Sequence, residues 1–135
     1  MTARTETQSI DADAQPDAVL SILADPSRIP SWAPAFADMI TGDANQGWVA
    51  VKDGKTFRLR VVMSQASGTV DYLREIAPGR EGGAYVRVLP HPASGSVIVM
   101  TLPLAPGGDR TILAATLKEE LVRLVGLLDA PKAGR

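Results

Sequence analysis

Residues 109–129 read DRTILAATLKEELVRLVGLLD. Leu113, Leu117, Leu121, Leu124 and Leu128 recur at spacings of four, four, three and four. That places them in one apolar stripe along a helix of about six turns. Gly107 and Gly108 precede it, Asp109 suits the N-cap, and Pro131 is expected to stop it. Lys118, Glu119, Glu120 and Arg123 read as its solvated face. A helix with one apolar stripe must cover something, so the rest of the chain has to supply a surface for it.

That surface is a sheet. Apolar and polar residues alternate through 37–43, 47–52, 55–64, 68–76, 84–91 and 96–103. Turn-forming stretches separate them: GDANQG (42–47), DG (53–54), SG (67–68), PGREGG (78–83) and PASG (92–95). This is the pattern of an antiparallel meander. Asp53-Gly54 is the strongest hairpin signal, a two-residue turn of the primed type.

Upstream, residues 4–11 (RTETQSID) read as a further strand. Pro16 and Asp17, followed by Val19, Leu20, Ile22 and Leu23, predict a short amphipathic helix ending near Asp25, because the residue before Pro26 is pushed out of the helical region. Residues 26–36, PSRIPSWAPAF, hold three prolines and one of the two tryptophans. Pro26 and Pro30 limit any helix there to one or two turns, and Pro34 ends it. Trp32 and Phe36 read as large side chains sealing one end of the sheet, with Ile29, Pro30 and Phe36 as gate candidates and mobility expected in this segment. The fold class is α+β: about seven antiparallel strands curved around a long C-terminal helix.

The totals fit one domain spanning 1–135, with a core at about 4–129 and loose ends at the first few residues and at 131–135. The net charge of −1 gives no basic field for nucleic acid. There is no cysteine, which excludes disulfides and thiolate chemistry and fits a reducing compartment. Neither a signal-peptide core nor a run of ~20 apolar residues occurs, so a cytoplasmic protein without a membrane span is expected.

QPDAVLSILADP (15–26) followed by IPSWAP (29–34) resembles the opening of a START-like domain, the superfamily also called SRPBCC. GTVDY (68–72), RVLP (87–90), GS (95–96) and EELVRL (119–124) are similar to one bacterial branch of it. The resemblance implies a helix-grip fold with two short helices between the first two strands. Polyketide cyclases and dehydrases, lipid-transfer domains and birch-pollen-allergen-like proteins share that fold, so it implies an apolar cavity without naming a reaction.

The strand pattern assigns faces. The Asp53-Gly54 turn puts Trp48, Ala50, Phe57, Leu59, Val61 and Met63 on one face, with Arg58 and Arg60 on the solvent side. Continued through the later turns, the inner face takes Asp71, Leu73, Tyr85, Arg87, Leu89, Ile98, Met100 and Leu102. The outer face takes Val70, Tyr72, Arg74, Val86, Val88, Val97 and Val99. On this register Arg87 forks onto Asp71 and anchors a ligand's carboxylate, phenol or carbonyl; a structural ion pair, or both residues outward, is the alternative. The cavity candidates are Trp32, Phe36, Trp48, Phe57, Leu59, Val61, Asp71, Leu73, Tyr85, Arg87, Met100, Leu113, Leu117 and Leu121. His91, the only histidine, reads as a loop residue. No cofactor or metal is expected, since no phosphate loop, H-E-x-x-H, cysteine cluster or G-x-S-x-G is present. The outer valines make a homodimer face a candidate.

Three functions follow: a binding domain for a small hydrophobic or aromatic ligand, a cyclase or dehydratase using the same cavity, or a dimeric structural or regulatory protein with a filled core. A cavity below ~300 Å³, the lower end for ligand pockets, favours the third.

Overall fold

The computed structural model describes residues 4–129. In chain order these form β1 (Thr5–Ala12), α1 (Pro16–Leu23), a 3-10 turn (Pro26–Arg28), α2 (Ile29–Trp32), β2 (Met39–Asp43), β3 (Gly47–Lys52), β4 (Lys55–Ser64), β5 (Thr69–Ala77), β6 (Arg80–Pro90), β7 (Ser96–Pro103) and α3 (Arg110–Asp129). The strands make one curved antiparallel sheet in the order β1-β7-β6-β5-β4-β3-β2, and α3 packs against β1 and α2. This is the helix-grip arrangement. The expected stop at Pro131 and the loose ends at 1–3 and 131–135 lie outside the described residues.

Local chemistry sets the element ends. Asp53 (φ 52°) and Gly54 (φ 77°) both adopt the left-handed backbone that a primed hairpin turn requires. Lys52 pairs with Lys55, Ala50 with Phe57 and Trp48 with Leu59, as the turn predicts. At α3 the Asp109 carboxylate accepts from the Thr111 and Ile112 amides at 2.8 and 3.2 Å, satisfying two of the otherwise free N–H groups. Leu117, Leu121 and Leu124 of the leucine stripe are buried, and they join Val70, Tyr72, Val86, Val88, Ile98 and Met100 in one core. Burying each such side chain contributes roughly 1.5–3 kcal/mol before entropy is counted.

Two expectations about the sheet are corrected. First, β6 begins at Arg80 rather than near Ala84, so Gly82 and Gly83 belong to the strand and not to the turn. A Cβ on Gly83 would lie 1.6 Å from the Tyr72 carbonyl oxygen, so β5 and β6 approach too closely there for any other residue.

Second, β5 and β6 face the opposite way from the sequence reading. A four-residue connection, Gln65–Gly68, joins β4 to β5, and Ser64 pairs with Thr69 and Val61 with Tyr72. Directly paired residues share a face, so Tyr72 and Val70 turn inward on the face of Val61, where Met63, near the strand end, stays exposed. Asp71 pairs with Tyr85, and both lie on the convex face together with Leu73 and Arg87. Across the next turn Val86 pairs with Met100 and Val88 with Ile98. This second offset restores β7 to its expected face, with Ile98 and Met100 buried. Val86 and Val88 are therefore core residues, and the proposed dimer face loses half of its four valines.

Candidate functional site

The proline-rich stretch builds one wall of the site. The Asp25 carboxylate accepts from the Ser27 amide and hydroxyl at 3.1 and 2.7 Å and starts the 3-10 turn at Pro26. Pro30 sits in the first turn of α2, where its missing N–H costs nothing, and α2 ends after Trp32. Downstream, Lys52 Nζ donates to the Pro34 carbonyl at 2.9 Å and to Asp38 at 3.2 Å, and the Asp53 amide donates to Asp38 at 2.9 Å. The Asp53 amide, with help from Lys52, holds the Asp38 carboxyl below its usual range. The segment is thus tied to the β3–β4 hairpin at its far end.

This placement brings Trp32 inside, with 3% of its surface exposed. Its ring lies 5.7 Å from that of Tyr72, tilted by 54°. The Tyr72 hydroxyl donates to the Leu23 carbonyl at the end of α1, a group with no partner within its own helix. Burial pushes the Tyr72 phenol well above its ordinary pKa, so it stays neutral. The Trp32 indole Nε1–H, by contrast, is buried and has no hydrogen-bond partner.

Beside Trp32 lies a cavity of about 230 Å³ between the sheet and α3. Its wall comes from Ile29, Trp32, Ala33, Ala35 and Phe36 on one side. Tyr72, Ala84, Met100 and Leu102 of the sheet form another, and Leu113, Thr116, Leu117 and Glu120 of α3 close it. Nearly all of the surface is apolar. The Thr116 hydroxyl is occupied, donating to the Ile112 carbonyl at 3.0 Å.

Glu120 is the residue the sequence reading misplaced. It is 7% exposed rather than solvated, and no hydrogen bond or ion pair among the described residues engages it. Burial, reinforced by the neighbouring Glu119 charge, raises its pKa from 4.5 to about 7. The signal was positional: Glu120 follows Leu113 by seven residues and Leu117 by three, on the leucine stripe. Glu119 and Arg123 are exposed as expected, and they pair at 3.5 Å.

Of the cavity candidates named from sequence, Trp32, Phe36, Met100, Leu113 and Leu117 line the cavity. Trp48, Phe57, Leu59, Val61 and Leu121 belong to the core but not to the wall. Phe57 meets Phe36 edge to face at 5.4 Å, and the Arg74 guanidinium covers the Phe57 ring at 4.6 Å. Arg74 is thus on the concave side with Tyr72, not on the outer face. Asp71, Leu73, Tyr85 and Arg87 are outside the cavity, and Asp71 and Arg87 form no ion pair, so the expected polar anchor is absent. His91 is also remote from the cavity. Its Nδ1 accepts from the Ala93 amide at 3.0 Å, and its Nε2 lies 3.9 Å from Asp11. Among the described residues, no helix is long and apolar enough to cross a membrane.

A family model described as "Polyketide cyclase / dehydrase and lipid transport" matches residues 4–130. The chain belongs to that family. Solved structures share the fold at low identity. A protein of Mesorhizobium loti is 18% identical with a TM-score of 0.68, over 93% of this chain and 97% of that one. The Zhui aromatase/cyclase of Streptomyces sp. R1128 is 20% identical with a TM-score of 0.65, over 92% of each chain. A START superfamily protein of Mycobacterium smegmatis is 12% identical with a TM-score of 0.61, over 94% and 95%. No curated protein sequence matches the chain. Among the described residues, Trp32 Nε1 is the one fully buried side-chain N or O atom without a hydrogen-bond partner; Glu120, also on the wall, has no described partner either, but its oxygens keep some accessible surface.

Proposed function

We propose that the protein binds a small hydrophobic or aromatic molecule in the cavity between the sheet and α3. The observation that carries this reading is the wall itself: an apolar lining around about 230 Å³, with very few polar groups. Membership of a cyclase and lipid-transport family supports a ligand role. The volume falls below the ~300 Å³ lower end for ligand pockets, the outcome named above as favouring a filled core, but it exceeds the ~150 Å³ that accommodates benzene in an apolar core, and the binding reading rests on that room. One or two rings match it; a full lipid chain does not.

Titration calorimetry and thermal shift with benzene, indole and naphthalene test this. Binding is expected, and saturation at 100 times Kd raises stability by about 2.7 kcal/mol. Leu113→Trp, which fills the cavity, abolishes the effect. If no such compound binds and native mass spectrometry of protein from its own host shows an empty chain, the filled-core reading takes its place, and a dimer seen by light scattering would support it.

One observation favours a second reading, a cyclase or dehydratase. A carboxyl group with a pKa of about 7 in an apolar cavity suits general acid–base chemistry at neutral pH. In that case Glu120→Gln keeps ligand affinity and loses turnover of a poly-β-ketone substrate.

A further inference from the structure

The polar side chains of the cavity wall are poor donors. The Thr116 hydroxyl commits its one proton to the Ile112 carbonyl, so its remaining lone pairs only accept. The Tyr72 hydroxyl proton is likewise committed to the Leu23 carbonyl, and the Trp32 N–H is fully covered. Glu120 lines the cavity, its oxygens retain accessible surface, and no described residue bonds them. Thr116 and Glu120 stand one turn of α3 apart, so their side chains are neighbours on the face that lines the cavity.

The local charge has one sign. No lysine, arginine or histidine lines the cavity. On α3 itself, Glu119 adds negative charge beside Glu120 and is paired with the exposed Arg123. α2 carries no charged residue, and β6 and β7 supply only Ala84, Met100 and Leu102 to the wall. On β1, Glu6 is bonded by Arg110, about 15 Å before Glu120 along the helix. On β5, Arg74 lies over Phe57, which packs in turn on the wall residue Phe36. A ligand that brings a positive charge and several donors completes this arrangement.

We propose that the ligand is an amine with an apolar ring, its ammonium group held by the Glu120 carboxylate and Thr116 Oγ1 and its ring by the apolar wall. This inference rests on the reading of the cavity as a binding site. Burial and Glu119 raise the Glu120 pKa to about 7, so the empty cavity holds this carboxyl partly protonated near neutrality. Binding then has a proton balance: an ammonium and a carboxylic acid give an ion pair and one proton released to solvent.

The test compares three one-ring probes on the full chain: benzylamine, ethylbenzene (in which a methyl replaces the amino group) and benzoate. Titration calorimetry at pH 6, 7 and 8, in two buffers of different ionisation enthalpy, reads affinity and protons released. A carboxyl with a pKa of about 7 is about nine-tenths protonated at pH 6 and one-tenth at pH 8. Benzylamine is therefore expected to bind about tenfold tighter at pH 8 than at pH 6, with proton release falling from roughly 0.9 to 0.1 per ligand. At pH 8 it binds roughly tenfold tighter than ethylbenzene, the lower end for a hydrogen bond to a charged group. Glu120→Gln removes the pH dependence and the proton release, and Thr116→Val weakens benzylamine several-fold at every pH. The comparison in the unaltered protein stands without either variant. Ethylbenzene binding as tightly as benzylamine at pH 8, or benzylamine binding at pH 6 without proton release, overturns the inference and leaves the apolar site intact. Benzoate binding tighter than benzylamine at pH 6 overturns it in favour of a neutral Glu120 that donates to an acceptor. Binding of none of the three overturns the site itself.

Discussion

Glu6 and Glu120 are both nearly inaccessible, at 6% and 7% exposure, yet their surroundings differ completely. Glu6 on edge strand β1 accepts from Arg110 Nε and Gln8 Nε2, each at 2.7 Å. Those bonds, the Arg110 one foremost, hold its carboxyl below the usual range. It is covered by the groups that bond it, and it ties the first residue of α3 to the sheet. Glu120, ten residues further along the same helix, is covered by apolar side chains and pushed the other way. A satisfied buried carboxylate is explained by the fold. A carboxyl covered by apolar side chains beside a cavity, with no described partner, is not, and that is why Glu120 carries the second reading proposed above.

The largest expected effect separates the two by pH. Glu120 has a folded pKa near 7 against 4.5 unfolded, so the native state binds more protons between those values. Its contribution is most favourable below pH 4.5 and is lost as pH rises through 7. Urea melts should show stability falling by about 2–3 kcal/mol from pH 5 to pH 8. Glu120→Gln should flatten that slope. A wild-type slope that persists in the variant would place its origin elsewhere.

Next comes the paired carboxylate. Its folded pKa is depressed, so its stabilisation is present above pH 4.5 and lost as pH falls through the folded value. Arg110→Met should lower Tm by a few degrees at pH 7 and by much less at pH 3, as read by calorimetry. An equal loss at both pH values would mean that the pair contributes nothing as a pair. The smallest effect is on the convex face. Arg87→Met and Asp71→Asn should leave affinity for naphthalene within about twofold and stability within ~0.5 kcal/mol, as for exposed substitutions generally. A tenfold loss would return those residues to the site.

The same contrast explains what could be read from sequence. The elements were legible because each has a local cause: the leucine period for α3, the prolines for α2, Asp53-Gly54 for the β3–β4 hairpin. Faces were legible only where the turn was. Gln65–Gly68 has no comparable two-residue signature, and an error of one residue there inverted β5 and β6, taking Asp71, Leu73, Tyr85 and Arg87 out of the cavity. A second such error before β7 cancelled the first. Gly82 and Gly83 look like turn residues, but their lack of side chains serves the close approach of two strands. Glu120 was missed because its charge was weighed above its place on the leucine stripe. Trp32 is buried, as a sealing side chain would be, but no sequence pattern announces that its N–H lacks a partner.

The most direct measurement is a ¹³C NMR titration of the glutamate side-chain carboxyls in the ligand-free protein. The expected result is divergence: Glu120 titrating near pH 7 and Glu6 below 4.5, on opposite sides of the ordinary glutamate value. If both titrate together near 4.5, Glu120 is solvated or paired, and the distinction between a bonded carboxyl on β1 and a desolvated one on α3 is wrong.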